Sequence, residues 1–174
     1  MVWRNIARTL RHGPATVAPV TPDAAATQVL AERLAAAAQA RLGRSLALRP
    51  LAAGGCNGCE VELRLLASAV YDLERFGIRV VASPRHADVL LVTGPVTRTM
   101  HEAVLRTWQA MAEPKWVVAV GDCAIDGGVF RGSYAISGGA DAALPVDMAI
   151  RGCPPTPAQM LEGLRTLLEA NAAR

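Results

Sequence analysis

Lysine is almost missing from this sequence: one lysine stands against 17 arginines in 174 residues. Aromatic residues make up only 4%, and alanine is abundant, a bias that a GC-rich gene produces without a functional cause. The chain has no run of 18 uncharged apolar residues, so no transmembrane helix of its own is predicted. It also lacks a signal-peptide hydrophobic region and a twin-arginine pair, so we expect the protein in the cytoplasm.

The net charge of +3 comes from one end of the chain. Residues 1–22 carry Arg4, Arg8 and Arg11 without an acidic residue, and the remaining 152 residues hold 15 basic and 15 acidic side chains. That balance leaves no basic face of the size that nucleic-acid binding needs, so no nucleic-acid partner is predicted. The basic segment suits a contact with another subunit or with an anionic membrane surface.

Apolar runs alternate with helix-like segments in most of the chain. Short, mostly apolar runs predict strands at 46–51, 78–83, 87–94, 116–121 and 145–150, and those at 78–83 and 87–94 are rich in β-branched residues. A helix is predicted between the first two strands, over residues 60–76, with Gly77 as its stop. This alternation predicts an α/β fold with an open, mostly parallel sheet of the flavodoxin-like class.

Capping signals predict where two later helices begin. Thr99 has Glu102 three residues on, and Thr156 has Gln159 three residues on. Each pair has the spacing of a capping box, in which the two side chains satisfy each other's backbone N–H groups.

An N-terminal helical extension is expected before the α/β fold. Asp23 and Gly43 bound an alanine-rich segment that predicts a helix, and a proline-containing arm precedes it. We therefore divide the chain into an arm and helix over residues 1–44 and an α/β domain, which holds all four cysteines, over residues 45–174.

All four cysteines follow predicted strands. Cys56 and Cys59 come after the first strand, Cys123 follows WVVAVGD, and Cys153 follows PVDMAIRG. Because ligands of open parallel sheets bind beyond the carboxyl ends of the strands, we expect the four sulfurs to converge from three loops. In a reducing cytoplasm such thiols are more often ligands or reactive groups than disulfides.

The cysteine spacing is compatible with three kinds of chemistry. The pattern is C-x2-C, 63 residues, Cys123, 29 residues, and Cys153 followed by Pro154. Four thiolates hold an iron–sulfur cluster, and proline commonly follows one of its ligands. They also hold structural zinc, which usually takes two close pairs, whereas a C-x2-C pair alone can act as a redox dithiol. Glycines beside the cysteines favour the cluster, because they let backbone N–H groups approach sulfur.

Five stretches carry a family resemblance across residues 46–168: GCNGCE, YDLERFGI, SPRHADVLLVTGPVTRTM, PKWVVAVGDCAIDGGVF and PVDMAIRGCPPTP. They resemble the small electron-transfer subunit of membrane-bound, complex-I-like nickel–iron hydrogenases of the formate hydrogenlyase and hydrogenase-4 type. The same superfamily contains the 20-kDa subunit of respiratory complex I. In complex I relatives the first two cysteines are adjacent, whereas Asn57 and Gly58 separate them here, which favours the hydrogenase branch.

The resemblance implies one 4Fe–4S cluster, with Cys56, Cys59, Cys123 and Cys153 as its ligands. It implies an oxidoreductase subunit that relays electrons to or from the nickel–iron site of a hydrogenase-like large subunit. The other implied partners are a ferredoxin-like iron–sulfur subunit and membrane-arm subunits. The expected location is therefore cytoplasmic, peripheral on the inner face of the cytoplasmic membrane. No catalytic residue is expected here, since the chain has no Ser–His–Asp arrangement, HExxH or Walker motif.

Three further residues carry over from the family with less specific roles, and a fourth, Arg151, departs from it. Glu62 is either a contact to the large subunit or proton relay, or a first-turn glutamate favoured by the helix dipole. Arg85 and His86 either offset the cluster's charge, with His86 coupling protonation to reduction, or form a solvated turn. Arg151 stands where relatives commonly have proline, and its charge would raise the cluster potential unless solvent screens it.

Two other functions stay open at this point. A complex whose large subunit lacks the nickel ligands would use the same cluster subunit for quinone or other redox chemistry. Zinc in the four-cysteine site would instead make the chain a structural scaffold.

Overall fold

The structure is a computed structural model that describes Arg11 and residues 23–171. The predicted arm over residues 1–22 lies outside the described residues, apart from Arg11. Within the described part of the chain, no helix has both the length and the hydrophobicity to cross a bilayer. The division of the chain after residue 44 stays a prediction.

A five-stranded parallel sheet forms the centre of the fold. The strands in chain order are β1 Leu46–Ala52, β2 Ile78–Val80, β3 Val89–Thr93, β4 Val96–Thr97, β5 Trp116–Val120, β6 Ile136–Gly138 and β7 Met148–Ile150. The short strands β4 and β6 pair with each other in antiparallel fashion. The order of the main sheet is β2-β1-β3-β5-β7, which is the 2-1-3-4-5 order of flavodoxin-like folds, so the predicted fold class is confirmed.

Helices connect the strands on both faces of the sheet. Within residues 23–171 the α-helices are α1 Ala24–Leu42, α2 Gly58–Leu66, α3 His101–Gln109, α4 Asp122–Asp126 and α5 Pro157–Asn171. Short 3₁₀ turns occur at Leu73–Phe76, Pro84–His86, Gly128–Phe130 and Ala140–Ala142.

Three of the predicted helix boundaries form as the sequence indicates. The carboxylate of Asp23 accepts hydrogen bonds from two backbone N–H groups in the first turn of α1, at 3.0 and 3.2 Å. Gly43 ends that helix with a left-handed φ of 65°. Before α5 the backbone N–H of Thr156 donates to Oε1 of Gln159 at 2.8 Å, and the N–H of Gln159 donates to the Thr156 hydroxyl at 3.3 Å. These bonds are the predicted capping box.

The predicted helix over residues 60–76 is wrong in its second half. After α2 ends at Leu66, the hydroxyl of Ser68 donates to the Leu65 carbonyl at 2.6 Å, and the Ser68 backbone N–H reaches the same oxygen at 3.0 Å. Asp72 then adopts a left-handed φ of 45°. Serine side chains that bond nearby carbonyls compete with helical hydrogen bonds, so the chain turns here instead of continuing as a helix.

The capping box predicted at Thr99 is also wrong. Met100 occupies the cap position of α3 and makes no side-chain capping bond. The hydroxyl of Thr97 accepts from the Met100 backbone N–H at 3.3 Å, and Glu102 pairs with Arg106 at 2.7 Å. A residue of β4 therefore supplies the oxygen that the sequence pattern assigned to Thr99.

Both faces of the sheet are buried, because alternate residues of the central strands enter two separate cores. Val89 and Leu91 pack with α1, α2 and α5, whereas Leu90 and Val92 pack on the opposite face with Val104 of α3. Every residue of β3 and β5 is buried, as their continuous apolar runs predict. The carboxyl edge of the sheet, rather than a face, is then the place for a site.

Asp88 anchors the amino edge of the sheet. It is 1% exposed and accepts hydrogen bonds from the Arg44 guanidinium at 2.5 and 3.0 Å. It accepts another from the backbone N–H of Ala47 at 2.9 Å. A buried carboxylate is tolerated when it is paired and hydrogen-bonded in this way, so this contact joins the end of α1 to β1 and β3.

Replacing Asp88 with alanine is expected to lower the melting temperature of the purified protein by about 6–12 °C, since the Ala47 N–H loses its acceptor and Arg44 its partner. The control is Glu102→Ala, which removes an exposed ion pair to Arg106 and should lower Tm by less than about 2 °C. Thermal melts followed by circular dichroism compare the two variants. Equal melting temperatures would contradict the anchoring role.

Candidate metal centre

The carboxyl ends of four parallel strands lie at one level of the sheet. Ala52 of β1 pairs with Thr93 of β3, which pairs with Val120 of β5, which in turn pairs with Ile150 of β7. The loops that follow β1, β5 and β7 therefore start side by side. These three loops carry every cysteine of the chain, namely Cys56, Cys59, Cys123 and Cys153.

The four cysteines line one cavity of about 80 Å³. All four are free thiols. Cys123 is 8% exposed, Cys59 is half-buried, and Cys56 and Cys153 reach the protein surface. The four sulfurs, which were expected to converge from three loops that follow the strands, thus lie around one cavity.

Burial and mutual repulsion hold the inner thiols in their neutral form when no cation is present. Burial raises the pKa of Cys59 to about 11, and the negative charges of Glu60 and the other three cysteines add to the rise. Burial also raises the pKa of Cys123, although a hydrogen bond from the backbone of Val129 to its sulfur opposes that rise. A bound cation would take the place of these protons, so loading the site releases protons.

Glycine is required next to two of the sulfurs. A Cβ at Gly121 would lie 2.6 Å from Sγ of Cys59, and a Cβ at Gly128 would lie 2.8 Å from Sγ of Cys123. Both glycines have a positive φ, of 87° and 49°. The backbone can therefore close around the cavity, and the N–H group of Val129 can reach sulfur.

A reciprocal pair of hydrogen bonds joins the loops of Cys123 and Cys153. The backbone N–H of Asp122 donates to the Gly152 carbonyl at 3.0 Å, and the N–H of Gly152 donates to the Asp122 carboxylate at 3.1 Å. Asp122 therefore fixes the spacing of two loops whose cysteines are 30 residues apart in sequence.

Glu60 is a site residue that the sequence analysis missed. Glu60 lines the same cavity as the thiols, and its carboxylate accepts a hydrogen bond from the Thr93 hydroxyl at 2.7 Å. Glu62, the acid chosen from the family resemblance, does not line this cavity, and its charge acts on Tyr71. The available signal was the position of Glu60 directly after Cys59.

Arg85 and His86 do not reach the thiols. Both belong to the 3₁₀ turn that precedes β3, so they lie at the amino edge of the sheet. The five residues of β3 separate the two edges by about 15 Å. Their expected role in offsetting cluster charge has no support in this placement.

Arg151 does lie beside the thiols. It lines an open depression together with Arg131, Cys123 and Cys153. Asp126 accepts a hydrogen bond from Arg131 in the same depression, and the pKa of Asp126 is lowered first by the backbone N–H of Gly128 and further by the two arginines. The charge of Arg151 is thus partly balanced by a neighbouring carboxylate.

The chemistry of the donor set fits a group held by thiolates. Four cysteines, a backbone hydrogen bond to sulfur and glycines that admit the backbone are the surroundings of an iron–sulfur cluster. Four thiolates also suit structural zinc. Within residues 23–171, no three His, Cys, Asp or Glu side chains are arranged to hold a single metal ion.

Comparison with known sequences identifies relatives in two kinds of complex. The chain is 48% identical over 128 residues to formate hydrogenlyase subunit 7 of Escherichia coli (strain K12), an alignment that covers 74% of this chain and 50% of that one. It is 51% identical over 114 residues to a subunit of the NADH-quinone oxidoreductase of Akkermansia muciniphila, covering 65% of this chain and 58% of that one. The chain therefore spans about half the length of these relatives.

A solved structure and a family model also match this chain. A chain of the membrane-bound sulfane sulfur reductase, an archaeal respiratory membrane complex, superposes with a TM-score of 0.66 and 36% identity over 82% of this chain and 77% of that one. Residues 56–167 match the model of the NADH ubiquinone oxidoreductase 20 Kd subunit family. That match begins at Cys56 and includes all four cysteines, so the resemblance noted from the motifs is confirmed. The chain belongs to the family of the 20-kDa subunit of NADH ubiquinone oxidoreductase.

Proposed function

We propose that Cys56, Cys59, Cys123 and Cys153 hold one 4Fe–4S cluster, through which this subunit relays electrons in a membrane-bound hydrogenase complex. The observation that carries the proposal is the gathering of every cysteine of the chain around one cavity. When bound, such a cluster takes up and gives off one electron at a time. The reaction that makes or consumes hydrogen belongs, in this proposal, to the nickel–iron site of a large subunit.

The residues of this chain have three tasks in that relay. The four thiolates bind the cluster, and the loops of Cys123 and Cys153 are held at a fixed spacing by Asp122. The half-buried and buried thiols lie on the protein side of the cavity, whereas Cys56 and Cys153 lie at the surface. This exposed side suits contact with the large subunit, because a partner there would exclude water from the cluster.

The cysteine spacing, rather than overall sequence identity, distinguishes the two branches of the family. Identity to a hydrogenlyase subunit and to a quinone oxidoreductase subunit is nearly equal, at 48% and 51%. The C-x2-C pair formed by Cys56 and Cys59 is the feature that favours the hydrogenase branch. A ferredoxin-like iron–sulfur subunit and membrane-arm subunits complete the proposed complex, on the cytoplasmic face of the membrane.

Similarity to the membrane-bound sulfane sulfur reductase supports a second candidate. In that case the same cluster subunit would serve a large subunit without nickel. Sequencing the large subunit that co-purifies with this chain distinguishes the two, because a nickel site requires paired C-x2-C motifs near both ends of that subunit. A large subunit without these pairs would favour the second candidate.

The cluster itself is tested by metal analysis of the complex purified without oxygen. We expect about four irons and four sulfides per chain beyond those of the other subunits, with a dithionite-induced EPR signal. One zinc in their place would overturn the proposal and leave the structural scaffold. If the bound iron or zinc is removed and the protein stays folded, the metal group does not hold the fold together.

A further inference from the structure

Glu60 occupies a position between two cavities. On one side Glu60 lines the cavity of the four thiols. On the other side it lines a second cavity of about 330 Å³, together with Arg49 and Arg64. An atom of its carboxylate, Oε1, would be 3.9 Å from a Cβ at Gly55, so it rests directly against the loop that carries Cys56.

Thr93 holds this carboxylate in place. The Thr93 hydroxyl is 2.7 Å from Oε1 of Glu60 and 3.3 Å from the carbonyl oxygen of Leu51. A hydroxyl has one proton to donate, and the shorter distance is typical of a bond to a carboxylate, so its proton points to Glu60. Thr93 itself is fully buried at the end of β3, between Ala52 and Val120. The rigid sheet therefore positions the charge.

The charge of Glu60 lies beside the thiols. Glu60 directly follows Cys59 in the chain, and both residues line the same cavity. A neutral hydroxyl donor leaves the negative charge of the carboxylate in place. A negative charge next to a redox group favours its oxidised form, since reduction adds a further negative charge.

We propose that the carboxylate of Glu60, positioned by Thr93, lowers the reduction potential of the cluster held by the four cysteines. The inference rests on the proposed function, because it needs a cluster in the cavity. It assigns a potential-setting role to an acid adjacent to a ligand, and a positioning role to a threonine 33 residues away in sequence. The electron itself comes from the external mediators or from the neighbouring redox subunit.

The test is a redox titration of the intact complex, in which EPR measures the reduced and oxidised cluster at fixed solution potentials. In the variant Glu60→Gln, which keeps the shape of the side chain, we expect the reduced-to-oxidised ratio to rise about tenfold. For one electron that ratio equals a shift of about 59 mV to higher potential. The matched control is Glu62→Gln, which removes the same charge two residues along α2 and should change the ratio less than about twofold.

Variants of Thr93 test the positioning role. Thr93→Val removes the hydroxyl, so we expect a two- to threefold rise in the ratio, in the same direction as for Glu60→Gln. Thr93→Ser keeps the hydroxyl and should restore the wild-type ratio. In the double variant that combines Glu60→Gln with Thr93→Val, the ratio should equal that of Glu60→Gln alone, because both substitutions act through the charge of Glu60.

Each outcome decides the inference. An unchanged ratio in a Glu60→Gln complex with normal iron content overturns it, as does an equal rise in Glu62→Gln. If Glu60→Gln fails to load iron, Thr93→Val decides: a raised ratio supports the inference and an unchanged ratio overturns it. A wild-type complex without iron and sulfide in this subunit would instead overturn the proposed function, so the two failures are distinguishable.

Discussion

A complex in which Cys153 is replaced by serine is expected to lose the wild-type EPR signal and at least two of the about four irons of the proposed cluster. Serine keeps the shape of the side chain but its hydroxyl does not supply a thiolate, which is the ligand that the cluster needs. Electron transfer through the subunit should fall by about 100-fold or more. EPR after dithionite reduction, iron analysis and hydrogen-dependent dye reduction measure the three effects.

Cys153 is a suitable choice because it reaches the surface. Its substitution leaves the two cores unchanged, so loss of iron reports ligation rather than unfolding. Cys56→Ser is the parallel variant, since Cys56 is also exposed but lies on a different loop. The ligand assignment fails if either variant retains the wild-type signal and full activity.

The sheet was predictable because its signals are local. Continuous apolar runs form β3 and β5, and all their residues are buried. Since the cysteines directly follow such strands, the parallel arrangement alone brings them to one edge. The helix boundaries marked by Asp23, Gly43 and Thr156 depend on hydrogen bonds within four residues, so they too can be derived from sequence.

The errors arise where a partner distant in sequence decides the structure. Thr99 was expected to cap α3, but pairing of β4 with β6 brings Thr97 to that position. For Arg85 and His86 the sequence left open either a place near the cluster or a solvated turn, and β2 pairs only with the first residues of β1. The connection to β3 therefore stays at the amino edge, and no pattern within the segment indicates that.

Which of the two acids, Glu60 or Glu62, lies at the cavity also depends on a contact between residues distant in sequence. Both acids lie in the first half of α2, and helical spacing places them on different faces. Only the hydrogen bond from Thr93 identifies the acid that faces the thiols. Because that contact spans 33 residues, no pattern within α2 distinguishes Glu60 from Glu62, and the roles expected of Glu62 from the family resemblance stay predictions.

Gly121→Ala should prevent normal loading of the cavity while leaving most of the fold intact. The new Cβ would lie 2.6 Å from Sγ of Cys59 and 3.3 Å from the Gly152 carbonyl, so the Cys59 side chain has to move. We expect the fraction of chains with a complete cluster to fall at least about tenfold, as for other changes that displace a metal ligand. Iron per chain and the EPR signal of the purified complex measure this loss.

Gly132→Ala is the control for Gly121→Ala. It introduces a side chain at positive φ without a close contact to a cysteine, so it shows how much iron is lost through backbone strain alone. Gly132 has a φ of 82°, close to the 87° of Gly121, but a Cβ there would meet nothing within 4 Å. A side chain at either positive φ is strained, at a cost on the order of 1–3 kcal/mol, so both variants should melt at a lower temperature. Only Gly121→Ala should lose iron, because only there does the side chain enter the space of a ligand. If the two variants load iron equally, the close approach of backbone to Cys59 has no part in holding the cluster.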